Sequence, residues 1–385
     1  MVRPLMALGL VASMTTMADA QQALPFKVGV SSESGDIITW VTALNGQLLA
    51  DRVVPVGVMP ADIDGPHNVT MSPDRKSYYV SIAHGTPFGT LWRYDAASDT
   101  VLGRANVEFY PTTIALTPDG ELAFVANSDF HGDRPRVNML SIVHTPTMDK
   151  ITDLPVCDMP HGVKVEHGGA RVWVSCMHSD EILSVDVSTF RVTQRAKVGT
   201  GSGMAGMDHG ATSHGAHGPP APAPRGAKAA SGPEAKPAPR EGECSPTFIS
   251  IAADDRTLYV ACNYGNTVQV WDAATLSLTR EIPVGKGSYN VEPSPDGRWL
   301  VSTNKKDQSV SVIDMTTLTV RATIPTTKKI VHGVAFSPDS RYVFVTAESI
   351  GSDPGSLDMI DLSTMTKVAT LPIPAQPTGV TIWTP

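Results

Sequence analysis

Three histidines of this 385-residue chain occupy one repeated position, and imidazole is a side chain that binds metals and moves protons. Each follows a proline or valine at the start of an alternating strand pattern, and these are His67, His161 and His332. Three neutral imidazoles that leave a position open hold copper or zinc in catalytic centres. We therefore predict a tris-His metal site. In the alternative, these side chains only hydrogen-bond to water or to a neighbouring loop.

Tyrosine and a further histidine are the candidates for catalytic work beside that metal. Tyr289 takes the same repeated position as the three histidines, and His178 comes two residues after a strand that ends at the same side. A phenol in that place could carry a proton or an electron, and an imidazole could act as general acid or base. We predict catalytic roles for Tyr289 and His178. Glu348 follows an equivalent strand and is a further possible acid, base or ligand.

A segment of unusual composition, residues 199–243, interrupts the pattern. It contains no Leu, Ile, Val, Phe, Tyr or Trp, so it has too little apolar surface to order itself, and we predict a disordered insertion. Its second half is a proline-rich spacer. Its first half contains two thioethers and three imidazoles, Met204, Met207, His209, His214 and His217. Thioethers with imidazoles suit copper, so we predict copper capture, with a low-complexity linker as the alternative.

The N-terminus indicates the compartment. Residues 1–20 have an early Arg, a short apolar run and a small-residue cleavage site, the three parts of a secretory signal peptide. We expect the mature chain, 21–385, to be periplasmic or secreted, without a membrane span, and monomeric. A net charge of −8 argues against nucleic-acid binding, which needs a basic surface. The expected partners are a metal ion and a small substrate or redox protein.

Repeats predict the fold that positions these side chains. Hairpins with Ser/Thr-Pro-Asp-type turns recur, and each is followed by two further strands, so that 40–50 residues supply a four-stranded propeller blade. Residues 26–56 supply only the last three strands of a blade, and the C-terminal 377–383 supply only a first strand. Joined, they complete a seventh blade and remove the exposed sheet edges. We predict a single all-β, seven-bladed propeller closed by this pairing.

Cysteines flank two successive hairpins, at spacings of 19 and 18 residues. They are Cys157, Cys176, Cys244 and Cys262. In a secreted chain they are expected to form two disulfides. Three pairings are possible, and both a pairing within each blade and one that joins the two blades are attractive. Thiolate ligation of copper is the functional alternative.

The turns and the strands that follow them resemble the YVTN-type seven-bladed propellers, a secreted family related to surface-layer and cytochrome-d1-like propellers. The resemblance is carried by turns that begin at Ser72, Thr117, Ser294 and Ser337, and by second strands containing Tyr79, Phe124, Tyr259 and Phe344. It covers about residues 24–385 apart from the insertion. It implies the fold, while members range from binding proteins to lactone-opening enzymes and metal- or haem-bearing redox enzymes.

Four functions compete. The first is a copper-dependent redox enzyme, which resembles nitrous-oxide-reductase-like and thiocyanate-dehydrogenase-like propellers in architecture alone. The second is a copper-handling protein without catalysis, in which the Met/His segment is the functional element. The third is a lactonase or lyase that needs no redox metal, and the fourth is a protein- or glycan-binding propeller. We favour the metal-binding interpretation and leave catalysis open.

Overall fold

The computed structural model describes residues 26–57, 63–84, 88–128, 138–199 and 243–384. The predicted signal peptide lies outside these ranges, and so does nearly all of the predicted insertion, including its five candidate metal ligands. Apart from a single 3-10 turn at Glu33–Gly35, the regular structure of the described residues is β-strand. Within these ranges no helix has the length and apolar character that crossing a membrane requires.

The strands are short and of similar length. In chain order they are β1 Phe26–Ser32, β2 Ile37–Leu44, β3 Gln47–Pro55, β4 Pro66–Met71, β5 Ser77–Ile82, β6 Thr90–Asp95, β7 Val101–Asn106, β8 Pro111–Leu116, β9 Leu122–Asn127, β10 Met139–His144, β11 Asp149–Pro155, β12 Pro160–Val165, β13 Arg171–Cys176, β14 Glu181–Asp186, β15 Arg191–Lys197, β16 Pro246–Ile251, β17 Thr257–Cys262, β18 Thr267–Asp272, β19 Ser277–Pro283, β20 Ser288–Pro293, β21 Trp299–Asn304, β22 Ser309–Asp314, β23 Thr319–Pro325, β24 Ile330–Phe336, β25 Tyr342–Glu348, β26 Gly355–Asp361, β27 Thr366–Ile373 and β28 Pro377–Trp383.

These strands form seven antiparallel four-stranded sheets, the blades of the propeller. Blades 1 to 6 are β4–β7, β8–β11, β12–β15, β16–β19, β20–β23 and β24–β27. Blade 7 joins the two ends of the chain, because β28 pairs with β1 ahead of β2 and β3. The predicted seven-bladed fold and its closure by the C-terminal strand are confirmed.

Turn chemistry sets the far end of each first hairpin. In blade 1 the Ser72 hydroxyl donates to Asp74 at 2.6 Å, and the same hydroxyl accepts the backbone N–H of Ser77 at 3.0 Å. The Ser-Pro-Asp turns at Ser294 and Ser337 repeat this arrangement. Such side-chain bonds stabilise a tight turn without help from other blades. Each hairpin therefore returns its second strand to the side from which the first strand began.

The core lies between neighbouring blades. Phe124 and Leu140 of blade 2 are fully buried in one cluster with Val163 and Val174 of blade 3. Strands rich in valine, isoleucine and aromatic residues form such sheet-on-sheet contacts readily. Two disulfides, Cys157–Cys176 and Cys244–Cys262, join the residues that flank the first hairpins of blades 3 and 4. The pairing within each blade is therefore the correct alternative.

Glycine next to the repeated position allows the innermost strands to approach closely. A Cβ on Gly162 would lie 2.7 Å from the Cα of Phe248 and 2.9 Å from the carbonyl oxygen of Thr247, both in the next blade. Gly333 and Gly379 meet neighbouring backbone in the same way. Backbone does not yield as a flexible side chain does, so these glycines set the spacing of the innermost strands.

Replacing Gly162 by alanine is expected to destabilise the protein by about 1–3 kcal/mol, because the added methyl forces blades 3 and 4 apart. The free energy of unfolding, measured by denaturant titration, checks this. Gly168→Ala is the matched control, since its Cβ would have Asp255 as its nearest neighbour at 3.4 Å, an ordinary contact. Equal stability of the two variants would contradict the close-packing argument.

Candidate functional site

A ring of seven equivalent residues surrounds one end of the central channel. Each lies near the start of the innermost strand of its blade, and in blade order they are His67, Thr112, His161, Thr247, Tyr289, His332 and Thr378. All seven are buried. We call this set the channel ring. The histidines belong to blades 1, 3 and 6, so the fold distributes them around the axis.

Hydroxyl groups hold the backbone of this ring. Ser31 of blade 7 donates to the His67 carbonyl at 3.1 Å, and Thr303 of blade 5 donates to the His332 carbonyl at 3.2 Å. A threonine of the ring, Thr112, donates to the His161 carbonyl at 3.2 Å. Each bond crosses from one blade to the next. The histidine backbones are therefore fixed by neighbouring blades as well as by their own sheets.

The δ nitrogens of two of these histidines face fixed acceptors. Nδ1 of His67 lies 2.8 Å from Oε2 of Glu33, and Nδ1 of His161 lies 2.8 Å from the Thr247 carbonyl oxygen. Metal-binding histidines commonly donate their second ring nitrogen to a carboxylate or carbonyl in this way. The Nε2 atom of His67 is buried and has no hydrogen-bond partner among the described residues. In a neutral ring protonated at Nδ1, this atom would carry a lone pair available to a ligand.

The rings of the three histidines and Tyr289 form one connected group. The His67 ring centre lies 6.2 Å from that of His161 and 5.6 Å from that of His332. Tyr289 connects the other two: its hydroxyl is 3.1 Å from Nε2 of His161 and its ring centre is 4.5 Å from that of His332. The structure thus brings together the four predicted residues that share the repeated position.

The nitrogens of the three imidazoles are too far apart to bind one ion as they stand. Among the described residues, one group of histidine, cysteine and acidic side chains has its ligand atoms within 4.8 Å of one another, and it is Cys157, Cys176 and Glu181. The sulfurs of that group are joined in a disulfide, so they are not thiolate ligands. Binding an ion on the histidines therefore requires rotation of their rings.

A second ring of equivalent positions lies beside the first, and three of its seven residues are charged. The charged residues are Lys305, Glu348 and Glu33, in blades 5, 6 and 7. Lys305 and Glu33 directly follow the second strand of their blade, and Glu348, the last residue of β25, takes the equivalent position in the strand pairing. The ammonium of Lys305 is 3.9 Å from the ring centre of Tyr289, and Oε1 of Glu348 is 3.9 Å from Nε2 of His332. The sequence argument overlooked Glu33 and Lys305. Comparing the residues that directly follow the second strand of each blade would have found both.

Burial dominates the electrostatics of the site. It lowers the pKa of His161 to about 3, with His67 adding to the shift, and it lowers the pKa of His332 well below the usual range, with Lys305 adding. Both imidazoles are therefore neutral at pH 7, the protonation state that a metal requires. Burial also raises the pKa of the Tyr289 phenol well above 10, so this residue remains a neutral hydrogen-bond donor.

Carboxylates of the second ring are shifted in opposite directions. Burial raises the pKa of Glu348. Burial would do the same for Glu33, but its attraction to His67 and its hydrogen bonds from His67, His84 and Tyr110 outweigh burial and hold its pKa well below the usual range. Glu33 is therefore an ionised carboxylate with only accepting oxygens.

Of the remaining predicted site residues, the structure describes His178. His178 is exposed in the connection between β13 and β14, where its backbone nitrogen donates to the Asp158 carbonyl oxygen. Its catalytic role stays a prediction. His144 and His167 lie at the opposite end of the blades, bonded to Thr147 and Asp255.

A small cavity lies in the channel beside the ring. It has a volume of about 40 Å³ and is lined by His67, His332, Asn68, Asn290 and Phe248 among others. A space of this size holds an ion or one or two water molecules. His67 and His332 both border it, so a ligand there is within reach of two imidazoles.

One family model matches part of the chain. It is described as the Cytochrome D1 heme domain, and it matches residues 245–333, less than a quarter of the 385 residues. The matched part contains Thr247, Tyr289 and His332 of the channel ring, and Lys305 of the second ring. A match of this extent indicates similarity to that domain over blades 4 and 5 and the start of blade 6.

Solved structures share the architecture at low identity. Hydrazine synthase from Kuenenia stuttgartiensis is 17% identical, with a TM-score of 0.61, over 84% of this chain and 92% of that one. A functionally unknown protein from Desulfotomaculum acetoxidans is 12% identical, with a TM-score of 0.68, over 93% and 99%. The dihydro-heme d1 dehydrogenase NirN, solved in complex with DHE, is 14% identical, with a TM-score of 0.56, over 92% and 74%. At these identities the likeness establishes the propeller fold, and membership of the YVTN type stays a prediction.

Proposed function

We propose that this propeller binds a redox-active transition metal at its channel ring, on His67, His161 and His332, and uses it in oxidation–reduction chemistry outside the cytoplasm. The observation that carries the proposal is the orphaned, buried Nε2 of His67, in a ring where the δ nitrogens of His67 and His161 face fixed acceptors. Leaving a buried polar atom unpaired costs about 1–3 kcal/mol, which a bound metal would recover.

The ring spacings support a single ion. With metal–nitrogen bonds of about 2 Å, two imidazoles on one ion have ring centres roughly 5 to 6 Å apart. The His67 ring is 5.6 Å from His332, within this range, and 6.2 Å from His161, slightly beyond it, so binding a single ion would require the rings to rotate and to move slightly closer together. At His161 a bound metal would take the place that the Tyr289 hydroxyl occupies at Nε2. A redox-active ion held by these histidines would supply one-electron chemistry.

A haem-type group is the second candidate, and the matched family model favours it. The comparisons give copper no corresponding support, and the sequence argument for copper draws on Met204 and Met207, outside the described residues. The cavity disagrees with a haem inside the channel, because about 40 Å³ is far below the several hundred Å³ of pockets that enclose cofactors. The residues of the channel ring thus fit an ion, and they do not enclose a macrocycle.

Location outside the cytoplasm has independent support. The two disulfides would persist in an oxidising compartment and are rare in the cytosol. They agree with the signal peptide expected at residues 1–20. A soluble redox partner or a small substrate would then reach the channel ring from the periplasm or the medium.

The protein purified without chelators is expected to contain about one transition-metal ion per chain and to lack the intense absorption of a haem near 400 nm. Elemental analysis and a visible spectrum measure both, and elemental analysis also identifies the metal. A haem spectrum would favour the second candidate over a single ion. A protein with neither metal nor haem, which also fails to bind added Cu²⁺, Fe²⁺ or Zn²⁺, would refute the metal proposal.

A further inference from the structure

Glu33 links three blades around one histidine of the channel ring. It lies in the 3-10 turn that follows β1, and its side chain is only 3% exposed. Its Oε2 atom is 2.8 Å from Nδ1 of His67. Its Oε1 atom is 3.0 Å from Nε2 of His84 and accepts the Tyr110 hydroxyl at 2.7 Å. Blade 7 thereby contacts blade 1 and the strand connection that enters blade 2.

Donor and acceptor chemistry fixes the tautomer of His67. An ionised carboxylate only accepts hydrogen bonds, so the Nδ1 atom of His67 must carry the proton. In the neutral ring the Nε2 atom then has a free lone pair. That atom is buried, has no hydrogen-bond partner among the described residues, and belongs to a side chain that lines the channel cavity.

We infer that Glu33 is a positioning residue, which selects the Nδ1–H tautomer of His67 and so keeps its Nε2 atom ready to bind a metal. The metal part of this inference rests on the proposed function, whereas control of the tautomer does not. His161 achieves the same protonation through the Thr247 carbonyl, at 2.8 Å. The ring therefore uses a backbone acceptor at one histidine and a charged side chain at the other.

Replacing Glu33 by glutamine changes the group that faces Nδ1 of His67 from a hydrogen-bond acceptor to a donor. An amide has one accepting oxygen and one donating nitrogen. The oxygen is best placed toward His84 and Tyr110, because two donors face it there. The amide nitrogen then faces Nδ1 of His67, which must become the acceptor, and the proton moves to Nε2. In this tautomer the ring has no lone pair toward the cavity.

The test compares the wild-type protein with Glu33→Gln by long-range 1H–15N NMR of histidine-labelled protein, and by competition of added Cu²⁺ or Zn²⁺ against a chelator. The wild type is expected to show His67 as the Nδ1–H tautomer, and Glu33→Gln as the Nε2–H tautomer. Metal affinity is expected to fall about 10- to 100-fold, as it does when outer partners of metal-binding histidines are removed.

Glu166→Gln is the matched control. Glu166 is also a buried carboxylate, 4% exposed, which accepts from Trp173 at 3.1 Å and pairs with Arg171 at 2.8 Å, but it lies at the opposite end of blade 3. It is expected to leave the His67 tautomer and the metal affinity unchanged.

Three results would overturn the inference: wild-type His67 in the Nε2–H or imidazolium form, an unchanged tautomer in Glu33→Gln, or an equal loss of affinity in Glu166→Gln. Wild-type protein that binds no metal, but whose His67 tautomer still reverses in Glu33→Gln, would refute the proposed function and leave control of the tautomer by Glu33 standing.

Discussion

Replacing His161 by alanine is expected to abolish metal binding at the channel ring. His161 is fully buried, and its imidazole is held between the Thr247 carbonyl and the Tyr289 hydroxyl. The neighbouring positions of the channel ring, in blades 2 and 4, are threonines, so neither offers an imidazole in place of the one removed. Loss of a ligand should weaken affinity by more than the roughly 10- to 100-fold that follows loss of an outer partner. Metal content after purification, and affinity by chelator competition, measure this.

The control must separate ligand loss from loss of structure. His167→Ala removes an exposed imidazole at the opposite end of the blades, where it contacts Asp255. It should bind metal as the wild type does. His67→Ala should match His161→Ala, provided that circular dichroism shows both to be folded. A folded His161→Ala protein with full metal content would exclude the tris-His site and leave the predicted Met/His segment as the alternative.

The fold was predictable because the sequence of a propeller repeats the same strand and turn patterns from blade to blade. Alternating strands and Ser/Thr-Pro-Asp turns recur, so an error in assigning one strand does not change the predicted fold. The closure was the strongest of these predictions: residues 26–56 lack a first strand and 377–383 supply one, and pairing of Val28 with Ile382 is the result. The within-blade disulfides were one of two attractive pairings, which spacing alone does not separate.

The site residues that occupy a repeated position were predictable from the sequence. His67, His161, His332 and Tyr289 share a register position, and equivalent positions in a closed ring must surround the axis. Glu33 was missed because it precedes the first complete hairpin and lies in a 3-10 turn, where no repeat unit was compared with it. Ring orientation was also beyond the sequence, because it depends on partners such as Glu33 and the Thr247 carbonyl that come from other blades.

Closure of the propeller and geometry of the site depend on each other. Thr378 of the closing strand donates to the His67 carbonyl at 2.6 Å, and Ser31 of the strand beside it donates to the same carbonyl. Glu33, directly after β1, holds the imidazole of that histidine. Blade 7 therefore contacts His67 at its backbone and its side chain, so opening the blade should disturb the site before other blades unfold.

Deleting residues 377–385 is expected to prevent stable folding. The deletion removes β28, leaves β1 as an unpaired edge beside the channel, and takes Trp383 from its contacts with Trp40, at 5.5 Å between ring centres, and with the Arg75 carbonyl oxygen, at 3.1 Å. Domains of this kind are stable by only about 5–15 kcal/mol, and an opened ring loses backbone pairing as well as buried aromatic surface. Expression in soluble form and a cooperative thermal transition are the measurements.

Trp383→Ala keeps the strand and tests the same closure in a folded protein. Trp383 is 7% exposed, and loss of a buried tryptophan costs about 3–5 kcal/mol. Leu278→Ala is the control, because Leu278 is 46% exposed on the outer strand of blade 4 and should leave the unfolding free energy within about 0.5 kcal/mol of the wild type. If Trp383→Ala were as stable as Leu278→Ala, and the deletion variant still melted cooperatively at the wild-type temperature, the ring would not depend on its C-terminal strand. Because blade 7 contacts His67 at two points, a Trp383→Ala protein that is destabilised should also bind metal more weakly, whereas Leu278→Ala should not.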